Sequence, residues 1–190
     1  TSNTYQMKRE ILTFSNKISK KLSKPERKFT ADMIYGMVAA QSCLLTDIVD
    51  QLHEPTKKVN SVERLTRHLN KGVSPKLQNS YLSLVKTMVP KKTVIHIDDS
   101  DVIKPDGYKF EALGLVRDGS KSSASKSVYE KGYHVTEACV LTSGNHPVSI
   151  FSKIHSSKEK NYTSSNDVTF SAIERGAAVF KEATFVMDRG

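Results

Sequence analysis

The stretch Thr-Val-Ile-His-Ile-Asp-Asp-Ser-Asp (TVIHIDDSD, residues 93–101) marks the point at which the sequence changes from helical to strand periodicity. Its first five residues are mostly β-branched, which predicts a short strand over residues 93–97. Three carboxylates follow within four positions, where like charges repel unless a cation, hydrogen-bond donors or solvent compensates them. The stretch therefore predicts a strand that ends in either a cation site or a solvated turn.

Before this stretch, apolar residues recur every three or four positions, which predicts an all-helical region. Proline and glycine separate the successive patterns, and Asn60 or Ser61 is the expected N-cap of the fourth helix. The expected helices cover residues 5–22, 29–40, 43–52, 62–69 and 74–89. We therefore expect a helical domain over residues 1–90 and a second domain over residues 91–190.

Beyond the stretch, the pattern predicts the order β-β-β-β-α-β, with the polar segment 118–127 as a mobile loop. The further strands are expected over residues 110–116, 133–141, 147–151 and 183–187, and the helix over residues 168–180. The last strand is apolar on both faces, so it should lie inside the sheet, parallel to residues 93–97. That pairing would bring Asp98, Asp99 and Asp188 to one edge of the sheet.

The charge of the chain is unevenly distributed. The net charge is +9, and residues 1–92 hold 17 Lys and Arg against 7 Asp and Glu, whereas residues 93–190 hold 12 against 13. A basic region beside a near-neutral one is typical of a protein that binds an anionic polymer, although a solvated basic surface would give the same balance. Arg64, Arg67, His68 and Lys71 lie on or just after the fourth helix, where a helix-turn-helix protein would read DNA.

Several classes of protein are disfavoured by composition. No run of about 18 apolar residues and no signal-peptide core occurs, so a membrane span is not expected and the cytoplasm is the default location. Cys43 and Cys139 are too isolated for a disulfide framework or a structural zinc site. The chain begins with Thr1 and stops just after an apolar run, which favours a piece of a longer protein.

Clustered aspartates without cysteine or histidine partners are ligands suited to Mg²⁺ or Mn²⁺. Two such ions can activate a water or a 3′-hydroxyl and stabilise the leaving oxygen in phosphodiester chemistry. Nucleic acid as the substrate would agree with the basic helical region. Taken without other signals, an Asp-Asp-Ser-Asp cluster is also compatible with a solvated turn.

The pairing of Val-Ile-His-Ile-Asp-Asp-Ser-Asp (94–101) with Thr-Phe-Val-Met-Asp-Arg-Gly (184–190) resembles the DDE-type transposases of bacterial insertion sequences, in the branch whose second motif is Asp-Arg-Gly or Asp-Arg-Glu. The resemblance implies an α/β chain, in which an all-helical DNA-binding region precedes a truncated ribonuclease-H-like mixed sheet. It also implies that Asp99 and Asp188 are the catalytic and metal-binding acids, with Asp98 as the alternative to Asp99. Arg189 would contact DNA, and Lys121 and Lys126 of the polar loop would contact the phosphate backbone, although a solvated loop has the same composition.

The resemblance further implies how the protein would act. It would bind the terminal inverted repeats of its element and target DNA as a homodimer in a synaptic complex, in the bacterial cytoplasm at the nucleoid, with two Mg²⁺ (or Mn²⁺) ions for strand cleavage and transfer. The family's third acid, a glutamate within Tyr-x-x-Arg-x-x-x-Glu-x-x-x-x-x-x-Lys, has no counterpart in the 190 residues. We therefore expect these residues to be unable to cut DNA by themselves. A non-catalytic DNA-binding regulator or a decayed transposase remnant is the alternative.

Overall fold

A computed structural model describes residues 2–188, with side chains from residue 5 onward. The chain is mixed α/β, with six helices and a five-stranded mixed sheet in this range. It divides into two compact units, of which the first ends at Leu84 and the second begins at Val85. None of the described helices is long and apolar enough to cross a bilayer.

The described part of the first unit contains helices only. The prediction of five helices before the sheet is confirmed, and the fifth continues across the boundary between the units. Their bounds are α1 Ser2–Ser19, α2 Lys24–Ala40, α3 Leu45–Leu52, α4 Lys58–Leu69 and α5 Pro75–Lys86.

The start of α4 differs from the prediction. The helix begins at Lys58 with Lys57 as its N-cap, so neither Asn60 nor Ser61 caps it. Ser61 is instead buried inside the first turn, and its hydroxyl donates to Glu54 Oε2 at 2.6 Å. Because the Ser61 hydroxyl donates to a residue outside the helix, it is not used as an N-cap. The local sequence pattern, which contains no information on this tertiary contact, therefore predicted the wrong start of α4.

The core of the first unit lies where α2, α3 and α4 meet. Ile48 and Leu65 are fully buried there, and Phe29 and Met33 from α2 pack against them. Gly36 of α2 lies so close to α3 that a Cβ atom built on it would be 2.4 Å from Ile48 Cγ2. The absence of a side chain at Gly36 is therefore what allows α2 and α3 to approach.

The second unit contains the sheet and one helix, in the predicted order. The elements are β1 Val94–Ile103, β2 Gly114–Arg117, β3 Tyr129–Leu141, β4 Pro147–His155, α6 Ser165–Val179 and β5 Thr184–Met187. β1 is central, with β5 parallel to it on one edge and β3 antiparallel on the other. The far edge of β3 pairs with β2 and with β4. The predicted parallel pairing of the first and last strands is confirmed.

The strands differ from the sequence predictions in their bounds, and β3 begins at Tyr129, four residues before its expected start. β1 continues through the acidic cluster to Ile103, because β3 supplies a hydrogen-bonding partner along its whole length. β2 is shorter than expected, because residues 110–113 are not in a strand and include a turn at residues 111–112. β5 lies at the edge of the described sheet instead of inside it, and Val186 and Met187 are each 46% exposed.

One face of the sheet is covered by α6. Ile95 and Ile97 of β1 point to this face and are buried, whereas Val94 and His96 point away and are exposed. Gly176 of α6 permits the close approach, because a Cβ atom there would lie 2.8 Å from Ile95 Cδ1. The two faces of β1 therefore have different environments, as alternation along a strand requires.

The pairing of β3 with β4 contains a β-bulge. The register runs from Leu141 opposite Pro147 to Cys139 opposite Ser149, and then resumes with Ala138 opposite Phe151. Ile150 is thus an additional residue in β4, and it is buried. Beyond the bulge the pairing continues to His134 opposite His155, four residues past the predicted end of this strand.

Candidate functional site

The parallel pairing of β1 and β5 brings distant carboxylates to one place. The last paired residues are Ile97 and Met187, and the next position on each chain carries Asp98 and Asp188. An open pocket of about 850 Å³ lies at this point. The predicted meeting of these carboxylates is confirmed, while their role stays a prediction. The residues lining the pocket are Ile97, Asp98, Asp99, Asn166, Thr169, Phe185, Val186, Met187 and Asp188.

Asp98 and Asp99 reach the pocket from opposite faces of β1. Asp99 lies on the face that α6 covers, and its Oδ1 accepts a hydrogen bond from Thr136 Oγ1 at 2.5 Å. Asp98 is opposite Glu137 of β3, and its Oδ1 accepts from the backbone N–H of Asp99 at 2.9 Å. A protein side chain therefore holds the Asp99 carboxylate, whereas Asp98 lies beside a like charge.

The third carboxylate of the cluster has a different partner. Asp101 Oδ1 is 2.7 Å from His134 Nδ1, directly across the β1–β3 pair, and Asp101 does not line the large pocket. The three carboxylates of residues 98–101 thus have different surroundings: Asp101 contacts a histidine, Asp99 contacts a threonine, and Asp98 lines the open pocket. This distribution explains how one strand tolerates three carboxylates in four positions.

Behind Asp99 lies a polar contact that sequence reasoning missed. His155 of β4 is 1% exposed, and its Nε2 is 2.9 Å from Thr136 Oγ1. Burial, the largest cause, lowers the pKa of His155, so its imidazole is neutral near pH 7. The expected strand ended at residue 151, so no periodic pattern placed His155 on the face of Thr136. Only knowledge of the β-bulge could have done so.

The donor chemistry at the pocket fits a hard divalent cation only in part. Carboxylate oxygens of Asp98, Asp99 and Asp188 are suitable ligands for Mg²⁺ or Mn²⁺. Within residues 2–188, however, no three His, Cys, Asp or Glu side chains form a group that could hold a metal ion. The described chain therefore provides a partial ligand set. Arg189, the expected neighbour of Asp188 in the second motif, lies outside the described residues.

The four residues predicted to read DNA from the fourth helix or just after it have different environments. Arg64 forms ion pairs with Asp32 at 2.8 Å and with Glu54 at 3.0 Å, so its guanidinium holds the helices together. His68 stacks on Phe29 with ring centroids 4.9 Å apart, and burial is the main cause that lowers its pKa. Arg67 and Lys71 are exposed.

The two lysines of the loop between β2 and β3 also differ. Both are exposed, but Lys121 pairs with Glu130 at 3.0 Å and with Asp118 at 3.4 Å, whereas Lys126 forms no ion pair with the described residues. Asp118 is buried and organises the turn, because its Oδ1 accepts from the backbone N–H and the hydroxyl of Ser120. These contacts give defined structure to a segment whose composition is typical of a mobile loop.

Comparison with known proteins does not identify a family. No protein-family model matches the chain, and no curated protein matches it. The geometry of the pocket and the distribution of charge are therefore the basis for a functional proposal.

Proposed function

We propose that this chain carries the DNA-binding region and part of the catalytic core of an insertion-sequence transposase of the DDE type. The observation that carries the proposal is the parallel pairing of β1 with β5, which brings Asp98 and Asp99 to one pocket with Asp188, 89 positions after Asp99. Carboxylates that line one pocket are ligands suited to divalent cations.

The arrangement of the sheet supports a ribonuclease-H-like core. The strands follow the order β4-β3-β1-β5, in which three antiparallel strands precede a helix and β5 returns parallel to β1. In such a core the acids that bind metal lie on the central strand and just after the parallel strand beside it. The positions of Asp99 and Asp188 agree with this scheme.

The chemistry of the proposal requires two Mg²⁺ or Mn²⁺ ions, which would supply charge neutralisation and activate water or a 3′-hydroxyl. Asp99 and Asp188 would hold them, with Asp98 as the alternative to Asp99. The chain's own residues position these acids: Thr136 restrains the Asp99 carboxylate, and the register of β5 against β1 fixes the backbone before Asp188.

DNA would be held by exposed cations. Arg67 and Lys71 of the first unit are the members of the predicted set best placed for phosphate contacts, since both are exposed, and Lys126 of the second unit is a further candidate. Lys121 and Arg64 are engaged in ion pairs with carboxylates. In this proposal the protein binds the terminal inverted repeats of its element, acts as a homodimer and works in the bacterial cytoplasm.

The alternative is a DNA-binding protein without catalysis, either a regulator or a transposase remnant. One observation favours it, namely that residues 2–188 contain no group of three side chains able to hold a metal. Both proposals expect salt-dependent DNA binding. They differ in whether the carboxylates at the pocket bind a divalent cation.

Mn²⁺ binding to the full 190-residue chain, followed by electron paramagnetic resonance, tests the proposal. We expect Asp99→Asn and Asp188→Asn each to weaken Mn²⁺ binding by at least about tenfold, because each removes an anionic ligand. Asp106→Asn is the matched control, since Asp106 is an exposed aspartate that does not line the pocket. Equal Mn²⁺ binding by the parent protein and the three variants would exclude the proposed metal-dependent function and leave the non-catalytic alternative.

A further inference from the structure

Three side chains from three neighbouring strands form a continuous hydrogen-bonded row on the α6 face of the sheet. Thr136 of β3 lies directly opposite Asp99 of β1, and its hydroxyl is 2.5 Å from Asp99 Oδ1. The same hydroxyl is 2.9 Å from Nε2 of His155, which belongs to β4. The row begins at the open pocket and ends in the core, because Thr136 and His155 are 0% and 1% exposed.

The direction of each hydrogen bond follows from the donors available. An ionised carboxylate only accepts, so the single hydroxyl proton of Thr136 points to Asp99. Thr136 can then only accept from His155, which must carry a proton on Nε2. Because burial keeps the imidazole neutral, Nδ1 is unprotonated. This assignment fixes one tautomer of His155 and one orientation of the threonine.

The row is held in place from behind. The His155 ring stacks on Tyr162 with an interplanar angle of 12°, and the Tyr162 hydroxyl is 2.9 Å from Ser165 Oγ at the start of α6. Nδ1 of His155 is buried without a hydrogen-bond partner among the described residues. A buried imidazole with an unsatisfied nitrogen reduces stability relative to an apolar side chain, so stability does not account for histidine at this position.

We propose that Thr136 and His155 are positioning residues that fix the Asp99 carboxylate for a divalent cation in the pocket. Thr136 occupies Oδ1, which leaves Oδ2 for the ion, and His155 keeps the threonine from turning away. Partners behind a ligand restrict its orientation in this manner in many metal sites. The inference rests on the proposed function, and it selects Asp99 over Asp98 as the ligand, because Asp98 has no such support from β3.

The test compares Thr136→Val with Thr136→Ser in the full 190-residue chain. Valine keeps the volume and shape but removes the hydroxyl, whereas serine retains it. We expect Mn²⁺ to bind Thr136→Val about tenfold more weakly than the parent protein, and Thr136→Ser to restore most of the affinity. His155→Phe keeps the stacking on Tyr162 and removes the Nε2 donor, so it should weaken Mn²⁺ binding several-fold. This variant replaces Thr136→Val in the test if Thr136→Val does not fold.

A second readout does not depend on metal. Nitrogen-15 NMR of the imidazole should show His155 protonated on Nε2 and not on Nδ1 in the parent protein, and Thr136→Val should change that signal because its acceptor is gone. Unchanged Mn²⁺ affinity in Thr136→Val, with affinity lost in Asp99→Asn, would overturn the positioning role and leave the proposed function intact. Unchanged affinity in Asp99→Asn as well would overturn both.

Discussion

Glu54 shows how a single residue can connect elements that sequence reasoning treated separately. It lies between α3 and α4, beside Pro55, in a segment where the sequence predicted only the separation of two helices. Its carboxylate accepts from Lys28 Nζ at 2.6 Å, from the Ser61 hydroxyl at 2.6 Å and from Arg64 Nη2 at 3.0 Å. These donors, of which the Lys28 bond is the largest cause, lower the pKa of Glu54 to about 2.

The low pKa of Glu54 predicts acid sensitivity. The pKa of Glu54 is near 4.5 in the unfolded chain and near 2 in the folded chain, so the unfolded chain binds more protons between these two pH values. The free energy of unfolding therefore falls as the pH falls through this range. Glu54→Gln should lower the free energy of unfolding near pH 7 by about 1–3 kcal/mol and should lose this part of the pH dependence. Urea unfolding followed by circular dichroism, repeated from pH 7 down to about pH 2.5, measures both. The same pH profile in the two proteins would contradict this assignment.

Asp118 is expected to hold the loop after β2 in its conformation. Its Oδ1 accepts from the backbone N–H groups of Ser120 and Lys121 and from the Ser120 hydroxyl. Asp118→Ala removes these acceptors, so amide hydrogen exchange at Ser120 and Lys121 should become faster than in the parent protein. Lys126→Ala, a change in the same loop that leaves Asp118 intact, should leave that exchange unchanged. Slow exchange in Asp118→Ala would show that the turn has another support.

At the scale of the elements, the contact between α2 and α3 depends on the absence of a side chain. A Cβ atom on Gly36 would lie 2.4 Å from Ile48 Cγ2 and 3.3 Å from the Ile48 carbonyl oxygen, and Ile48 is fully buried. Gly36→Ala should therefore lower the free energy of unfolding by about 1–3 kcal/mol, even though alanine favours a helix by about 1 kcal/mol over glycine.

Thermal unfolding of Gly36→Ala against Gly119→Ala measures this effect. Gly119 is the suitable comparison because an added Cβ atom would meet nothing within 4 Å. A melting temperature at or above that of the parent protein in Gly36→Ala would mean that α2 and α3 can separate without loss, and it would contradict the close approach described for them.

The elements that could be predicted are those whose signal is local. Five helices followed by β-β-β-β-α-β were evident from periodicity, and the apolar composition of β5 indicated its parallel pairing with β1. The extension of β1 through Asp98–Asp101 could not be predicted, because carboxylates favour turns by composition. What permits the strand is tertiary: Thr136 and His134 of β3 lie opposite Asp99 and Asp101.

The candidate site shows the same limit. Asp98, Asp99 and Asp188 could be selected from sequence, because strand ends and parallel pairing follow general rules. Thr136 and His155 could not, since nothing local links a threonine and a histidine 19 positions apart. The ion pairs of Arg64 with Asp32 and Glu54 could not be predicted from sequence either. An arginine that stabilises the helical unit was therefore predicted to contact DNA.

At the scale of the whole molecule, the separation of charge predicts how DNA affinity responds to salt. The excess of cations lies within residues 1–92, and Arg67 and Lys71 are exposed there. Affinity for duplex DNA should fall steeply with salt concentration, and the double change Arg67→Ala with Lys71→Ala should reduce the slope of log affinity against log salt by about 2.

Fluorescence anisotropy with a labelled duplex measures that slope. Lys109→Ala with Lys158→Ala removes the same charge from exposed positions of the second unit and serves as the comparison. If this pair lowers the slope as much as Arg67→Ala with Lys71→Ala does, net charge would explain the binding and a specific contact surface at the end of α4 would be excluded.

The β-bulge at Ile150 has a consequence for how this protein could change over time. Pairing partners share a face, so an extra residue in one strand reverses which of its side chains face the core beyond that point. If β4 paired with β3 without the bulge, the residue opposite His134 would be Ile154, and His155 would turn to the side away from Thr136. An insertion of one codon between the β3–β4 turn and His155, with the bulge retained, would thus exchange an imidazole for an isoleucine behind Asp99. This segment is therefore expected to tolerate substitutions far better than single-residue insertions.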